Sequence, residues 1–264
     1  MSLIPLVSVD SSILSSYASS GKTGGPRENL RPLVQLGKFG VAHPNMALKL
    51  KQLNDAVISE GGDFRVTECH RDISVQRAAR AKYDRWVSAK KPRPGTPAFD
   101  SKTMKAAFVA TPGRSGHNAG VSIDIDIGSL KFPGVAADRR LDRLWEIATP
   151  IGWTPVIRTP DERASESWHF DCWGELKGVK DRLGYEQAAL CGAILVGHGD
   201  LSGYDAELQA LLVRAGYDIG KIDGAVGAKT RAALATAVGT PDVDRLIVRK
   251  DRSVLERLLA LPAK

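Results

Sequence analysis

The sequence has little cysteine, few aromatic residues and no long apolar run. Its three cysteines, Cys69, Cys172 and Cys191, are too few and too oddly numbered for a disulfide framework in a chain of 264 residues that can build a real core. Folding in a reducing cytoplasm is therefore expected. No stretch approaches the roughly 18 to 20 uninterrupted apolar residues that a bilayer span requires, the longest running from about Ala188 to Val196, so stable membrane insertion is not expected. The first 25 residues carry no basic side chain before their mildly apolar part and no clean apolar centre, which argues against a secretory signal. Aromatic residues make up 6% and form no stacking stripe, and neither helix-turn-helix nor zinc-finger spacing is present, so nucleic acid is not the expected partner.

What is present is ordinary globular composition, 43% hydrophobic and 25% charged, with a net charge of +7. The charge is uneven. Residues 186–264 hold ten basic and ten acidic side chains, so the whole excess lies in the first 185 residues. Within it, residues 63–115 carry twelve basic against five acidic groups, a surface suited to a polyanion such as a bacterial envelope polymer.

Residues 1–30, rich in Ser and Gly and without periodicity, read as a loose arm. From Pro44 the spacing of Met46, Leu50, Leu53 and Val57 predicts a helix, with Asn45 as its cap and Gly61-Gly62 as its stop. A second helix is expected from Ser74 to about Lys90, and a third over Leu141, Leu144, Trp145 and Ala148. Between them, VSIDIDI at 121–127 alternates strictly, as a strand with an apolar back and a front bearing Ser122, Asp124 and Asp126. The expected fold is α+β: a catalytic domain over 31–185 with a small antiparallel sheet flanked by helices, a linker at 186–200, and a small all-α domain over 201–264.

Two segments carry chemistry: Ser115-Gly-His117-Asn-Ala-Gly120-Val-Ser-Ile-Asp124 and Glu166-Ser-Trp168-His169-Phe170. A catalytic zinc ion needs about three His or carboxylate ligands and an open fourth position, and His117, Asp124 and His169 supply that set for one Zn2+. Gly120 lets the chain bend so that His117 returns beside Asp124. Asp126 shares the strand face with Asp124 and is its rival, although the spacing from His117 favours Asp124. His70 is a further rival, read rather as a neighbour that helps place Arg71. His43 and His198, without motif neighbours, are read as surface or satisfied core residues. Cys69 and Cys172 are read as small buried hydrophobes. Glu166, three residues before His169, suits a general base that takes a proton from an activated water and passes it to a leaving amine. Arg71 suits the oxyanion, with Gln76 adding an amide hydrogen bond. Trp168, Phe170 and Trp173 read equally as a substrate wall or as core.

On these residues, SxHxxGxxxD followed by ExWHF with an upstream Arg-containing segment ending in Gln, the chain resembles the zinc D-alanyl-D-alanine carboxypeptidase and L-alanyl-D-glutamate endopeptidase family, which includes VanY-like enzymes and several phage endolysins. The resemblance spans roughly residues 40–175. It implies His117, Asp124 and His169 as zinc ligands, Glu166 as base, Arg71 as the substrate or transition-state cation, and Ser115 as a substrate-binding position. The carboxyl-terminal unit resembles a small peptidoglycan-binding domain through Leu208-Gln209, Gly216-Tyr217, Asp223-Gly224, Gly227 and Thr230, which implies wall contacts from Gln209, Tyr217, Asp223 and Thr230.

The expected protein is a monomeric peptidoglycan peptidase of phage endolysin type. It is made in the host cytoplasm, acts at the wall or periplasm after release, and cuts L-Ala-D-Glu or D-Ala-D-Ala bonds. The alternatives are a non-catalytic wall-binding virion protein with a structural zinc site, and a secreted antibacterial toxin with the same chemistry.

Overall fold

A computed structural model gives the structure of residues 2–14, 41–106 and 108–264. Strand β1 (Val7–Ser8) pairs antiparallel with β2 (Val41–Ala42). The backbone N–H groups of Leu3 and Ile4 both donate to the Leu195 carbonyl at 2.9 Å, and Ile13 is buried. Residues 2–14 are thus tied down where a loose arm was expected; residue 1 and residues 15–30 lie outside the described residues.

Helix α1 (Pro44–Ser59) buries the stripe of Met46, Leu50, Leu53 and Val57. Its cap is His43 rather than Asn45: the His43 ring accepts from the Asn45 N–H at 3.3 Å, and Pro44 fills the first helical position, where its missing N–H costs nothing. After β3 (Val66–Glu68) comes α2 (Ile73–Ser88), capped by Asp72. A one-turn helix α3 (Gly116–Ala119) leads into β4 (Ser122–Ile125). Helix α4 (Arg140–Ile151) buries Leu141, Leu144 and Ala148. Strands β5 (Thr154–Pro155) and β6 (His169–Asp171) complete a four-stranded antiparallel sheet in the order β3-β4-β6-β5. Ile123, Ile125 and Phe170 on this sheet join α1 and α4 in one apolar core, which also takes in Cys69 and Cys172.

The rest is helical: α5 (Lys177–Leu183), α6 (Tyr185–Leu195), α7 (Tyr204–Arg214), α8 (Ala228–Val238), α9 (Asp244–Arg249) and α10 (Arg252–Leu259). The stretch 186–200, expected as a linker, is mostly α6, buried continuously from Gln187 to Leu195. Its Ala188-to-Val196 run is apolar on every face, the pattern of a helix surrounded by protein. Its neighbours come from both ends of the chain, because one core contains Ala119, Val121 and Trp173 together with Leu190, Leu211, Leu234 and Leu255. The approach to α3 is close: a Cβ on Gly192 would lie 2.7 Å from Ala119 Cβ and 2.6 Å from Leu176 Cδ1. Among the described residues no helix is long and apolar enough to cross a membrane.

Candidate metal centre

Three short elements place the cluster. Ser115 caps α3, its hydroxyl accepting from the His117 N–H at 3.3 Å, and Gly120 ends the turn with φ 69°. A Cβ at Gly120 would meet the His43 nitrogen at 2.9 Å, so glycine is required there by both conformation and space. The turn delivers His117 to the front of β4, whose Asp124 stands in register with His169 on β6. One ligand-type atom from each of His117, Asp124 and His169 lies within 4.8 Å of the others. His117 Nε2 is 3.2 Å from both His169 Nδ1 and Asp124 Oδ1, and His169 Nδ1 is 3.0 Å from Asp124 Oδ1.

The outer contacts orient both rings. His117 Nδ1 lies 2.7 Å from the Cys69 carbonyl, which only accepts, so Nδ1 carries the proton and the Nε2 lone pair faces the cluster. His169 Nε2 lies 3.0 Å from Asp171 Oδ1, leaving Nδ1 for the cluster, and Ser122 Oγ donates to the same Asp171 oxygen at 2.5 Å. Burial alone would push the Asp124 carboxyl up, but His117 and then His169 hold it well below the usual carboxylate range. Burial likewise works against a charged His169, yet hydrogen bonds to Asp124 and Asp171 push it up to about 10. The donor set fits zinc: two imidazole nitrogens and one carboxylate oxygen converge on a point reached from a cavity of about 740 Å3.

That cavity is lined by His117, Asp124, His169, Glu166, Arg71, Ser115 and Trp168. Glu166 is half-buried with φ 66°, a left-handed conformation that is costly for a residue with a Cβ and that places it one turn before His169, whose N–H donates to its carbonyl at 3.0 Å. Trp168 is 37% exposed on the cavity rim, whereas Phe170 and Trp173 are core. Asp126 lines the cavity outside the three-residue cluster. His70 is buried against His198, ring centroids 4.4 Å apart, also outside it. His43 is buried and pairs with Glu175 at 3.2 Å.

Arg71 is held more tightly than its sequence suggests. Its Nε and Nη2 donate to the two oxygens of Glu68 at 2.6 Å, and its Nη1 donates to Gln76 Oε1 at 2.9 Å. Burial would lower its pKa, but the Glu68 charge and hydrogen bonds raise it. Gln76, expected to meet substrate, is fully buried, and its Nε2 donates to the Ala110 carbonyl at 2.7 Å; it positions Arg71 instead. Glu68, Asp171, Lys105 and Tyr185 went unnoticed in the sequence. Only Asp171 had a signal, two residues after His169 and so on the same strand face.

Of the carboxyl-terminal positions, Gln209 is buried. It donates to Asp223 Oδ1 at 2.9 Å and to the Ala225 carbonyl at 3.0 Å, and accepts from Gly224 N–H at 2.7 Å. Thr230 is buried as well, so both hold the unit together rather than face a ligand. Tyr217 is half-buried against the core, and Asp223 is exposed at a second cavity that also contains Arg114, Tyr185 and Lys221.

A family model described as VanY: D-alanyl-D-alanine carboxypeptidase matches residues 41–175, just over half of the chain. No curated protein matches it.

Proposed function

The chain belongs to the VanY family and is a D-alanyl-D-alanine carboxypeptidase-like peptidase acting on peptidoglycan; from the geometry of its cavity we propose that it is a zinc enzyme with Glu166 as its general base. The observation that carries this is the convergence of His117, Asp124 and His169 within 4.8 Å, in the same cavity as Glu166. His117 and Asp124 would hold the metal with His169. Zinc, when bound there, supplies a Lewis acid that polarises the scissile carbonyl and makes water easier to deprotonate.

The chain's own groups supply the rest. Glu166 accepts the proton of the attacking water and later returns it to the departing amine. Arg71, fixed by Glu68 and Gln76, has three N–H bonds committed, which leaves one on each terminal nitrogen to meet the substrate carbonyl. Ser115 and Trp168 border the path by which the peptide enters. A purely structural zinc site would need neither Glu166 nor Arg71 in its cavity. The family description favours a carboxypeptidase over the endopeptidase that a lytic role suggests, and attachment to the wall through the carboxyl-terminal helices is part of the same proposal, supported by their sequence pattern.

The test is Glu166→Gln in the full-length chain. Zinc content and thermal stability are expected to stay at the parental level while hydrolysis of a D-Ala-D-Ala peptide falls by roughly a hundredfold or more. Parental turnover in that variant refutes the assignment.

A further inference from the structure

Besides the histidines, two basic side chains line the catalytic cavity, and they are not in the same state. Arg71 is neutralised by its two-pronged contact with Glu68. Lys105 also lines the cavity, yet among the described residues nothing lies within hydrogen-bond or ion-pair range of its ammonium. Burial pushes the Lys105 pKa down and the nearby Arg71 adds to this, while Glu68, Glu166 and Asp124 pull it back. A half-buried ammonium without a hydrogen-bonding counter-ion is unfavourable alone and favourable once an anion fills the site.

The position of Lys105 is set in advance. The segment that carries it is pinned along α2 at three points: Lys105 N–H to the Lys82 carbonyl at 3.3 Å, Arg80 Nη1 to the Val109 carbonyl at 2.9 Å, and Gln76 Nε2 to the Ala110 carbonyl at 2.7 Å. The same stretch of wall includes Val75, Ala79, Phe108 and Val109. A small apolar side chain suits this wall, and a carboxylate suits the cation beside it.

Resting on the peptidase reading above, we propose that Lys105 determines specificity by receiving the free α-carboxylate of the residue whose amine leaves. The substrate class is then peptides with a free carboxylate next to the scissile nitrogen. Both a terminal D-alanine and a glutamate linked through its side-chain carboxyl satisfy this chemistry, which is why the motif alone separates the two bonds poorly.

The experiment uses the full-length, zinc-loaded chain carrying Glu166→Gln to stop turnover. Calorimetry compares diacetyl-Lys-D-Ala-D-Ala with its terminal amide, and L-Ala-γ-D-Glu with its α-amide. The acid of at least one pair is expected to bind roughly ten- to a hundredfold tighter than its amide, and the pair that does so identifies the source of the carboxylate. Adding Lys105→Met should erase that preference and leave amide binding within about twofold, while Lys105→Arg retains most of it. Equal binding of acid and amide before the lysine is changed, a preference that survives Lys105→Met, or equal weakening of acid and amide in that variant overturns the proposal. Turnover is assayed separately with Glu166 intact: acid preference without hydrolysis would sink the peptidase reading and leave the carboxylate site standing.

Discussion

Asp171 decides which ring nitrogen of His169 is turned towards the cluster. By taking the Nε2–H it fixes the tautomer, and the Ser122 hydroxyl holds that carboxylate in turn. Asp171→Asn is expected to weaken zinc binding by about ten- to a hundredfold, read by competition with a chelator, with the fold retained. An unchanged zinc affinity would show that the ring is oriented by its other contacts. At this scale the sequence was legible where chemistry dictates residue type. His117, Asp124, His169 and Glu166 stand at motif spacings, and the structure gathers the first three at one point with Glu166 in the same cavity. Glu68 and Lys105 were not legible: Glu68 meets Arg71 only because the chain turns back just after β3, and Lys105 reaches the cavity only because an irregular segment lies against α2. Gln76 was misread because a buried amide serves a neighbouring arginine as readily as a substrate.

At the scale of elements, the unexpected piece is α6. A run that is apolar on all sides has no periodic stripe to distinguish a buried helix from a connection, so sequence alone placed a linker there. The helix matters because α3, which bears His117, packs directly on it at Gly192. Gly192→Val is expected to force the two apart, costing about 1–3 kcal/mol of stability by overpacking and lowering zinc affinity as well. Thermal unfolding and metal titration check this; loss of stability with zinc affinity untouched would mean α3 is positioned from elsewhere. The α1 stripe, by contrast, was readable down to each buried residue, and only its cap shifted, since Pro44 starts the helix two residues earlier than a cap at Asn45 would.

Across the whole molecule, Glu175 joins the two ends. It meets His43 at the head of α1 and accepts from Arg214 Nε at 2.6 Å, while Arg214 also donates to the Leu261 carbonyl at 3.0 Å. The His43 hydrogen bond and then Arg214 outweigh burial and lower the Glu175 pKa from 4.5 to about 2. A carboxyl whose pKa is depressed on folding stabilises the protein above its unfolded value and loses that contribution as pH falls through the folded one. Glu175 should therefore contribute on the order of 2–3 kcal/mol near neutrality, lost between about pH 5 and pH 2. The difference in unfolding free energy between the parent and Glu175→Gln is expected to shrink across that window; a difference that stays constant with pH would refute the account. The α+β class and the antiparallel sheet were legible from alternation and stripes, whereas the union of the two ends was not, because it depends on contacts between residues far apart along the chain.

That union has a practical corollary. The helices beyond residue 200 pack on α6, on which the His117 turn rests, so exchanging them for an unrelated unit would also disturb the cluster. The carboxyl-terminal helices and the cavity must therefore change together.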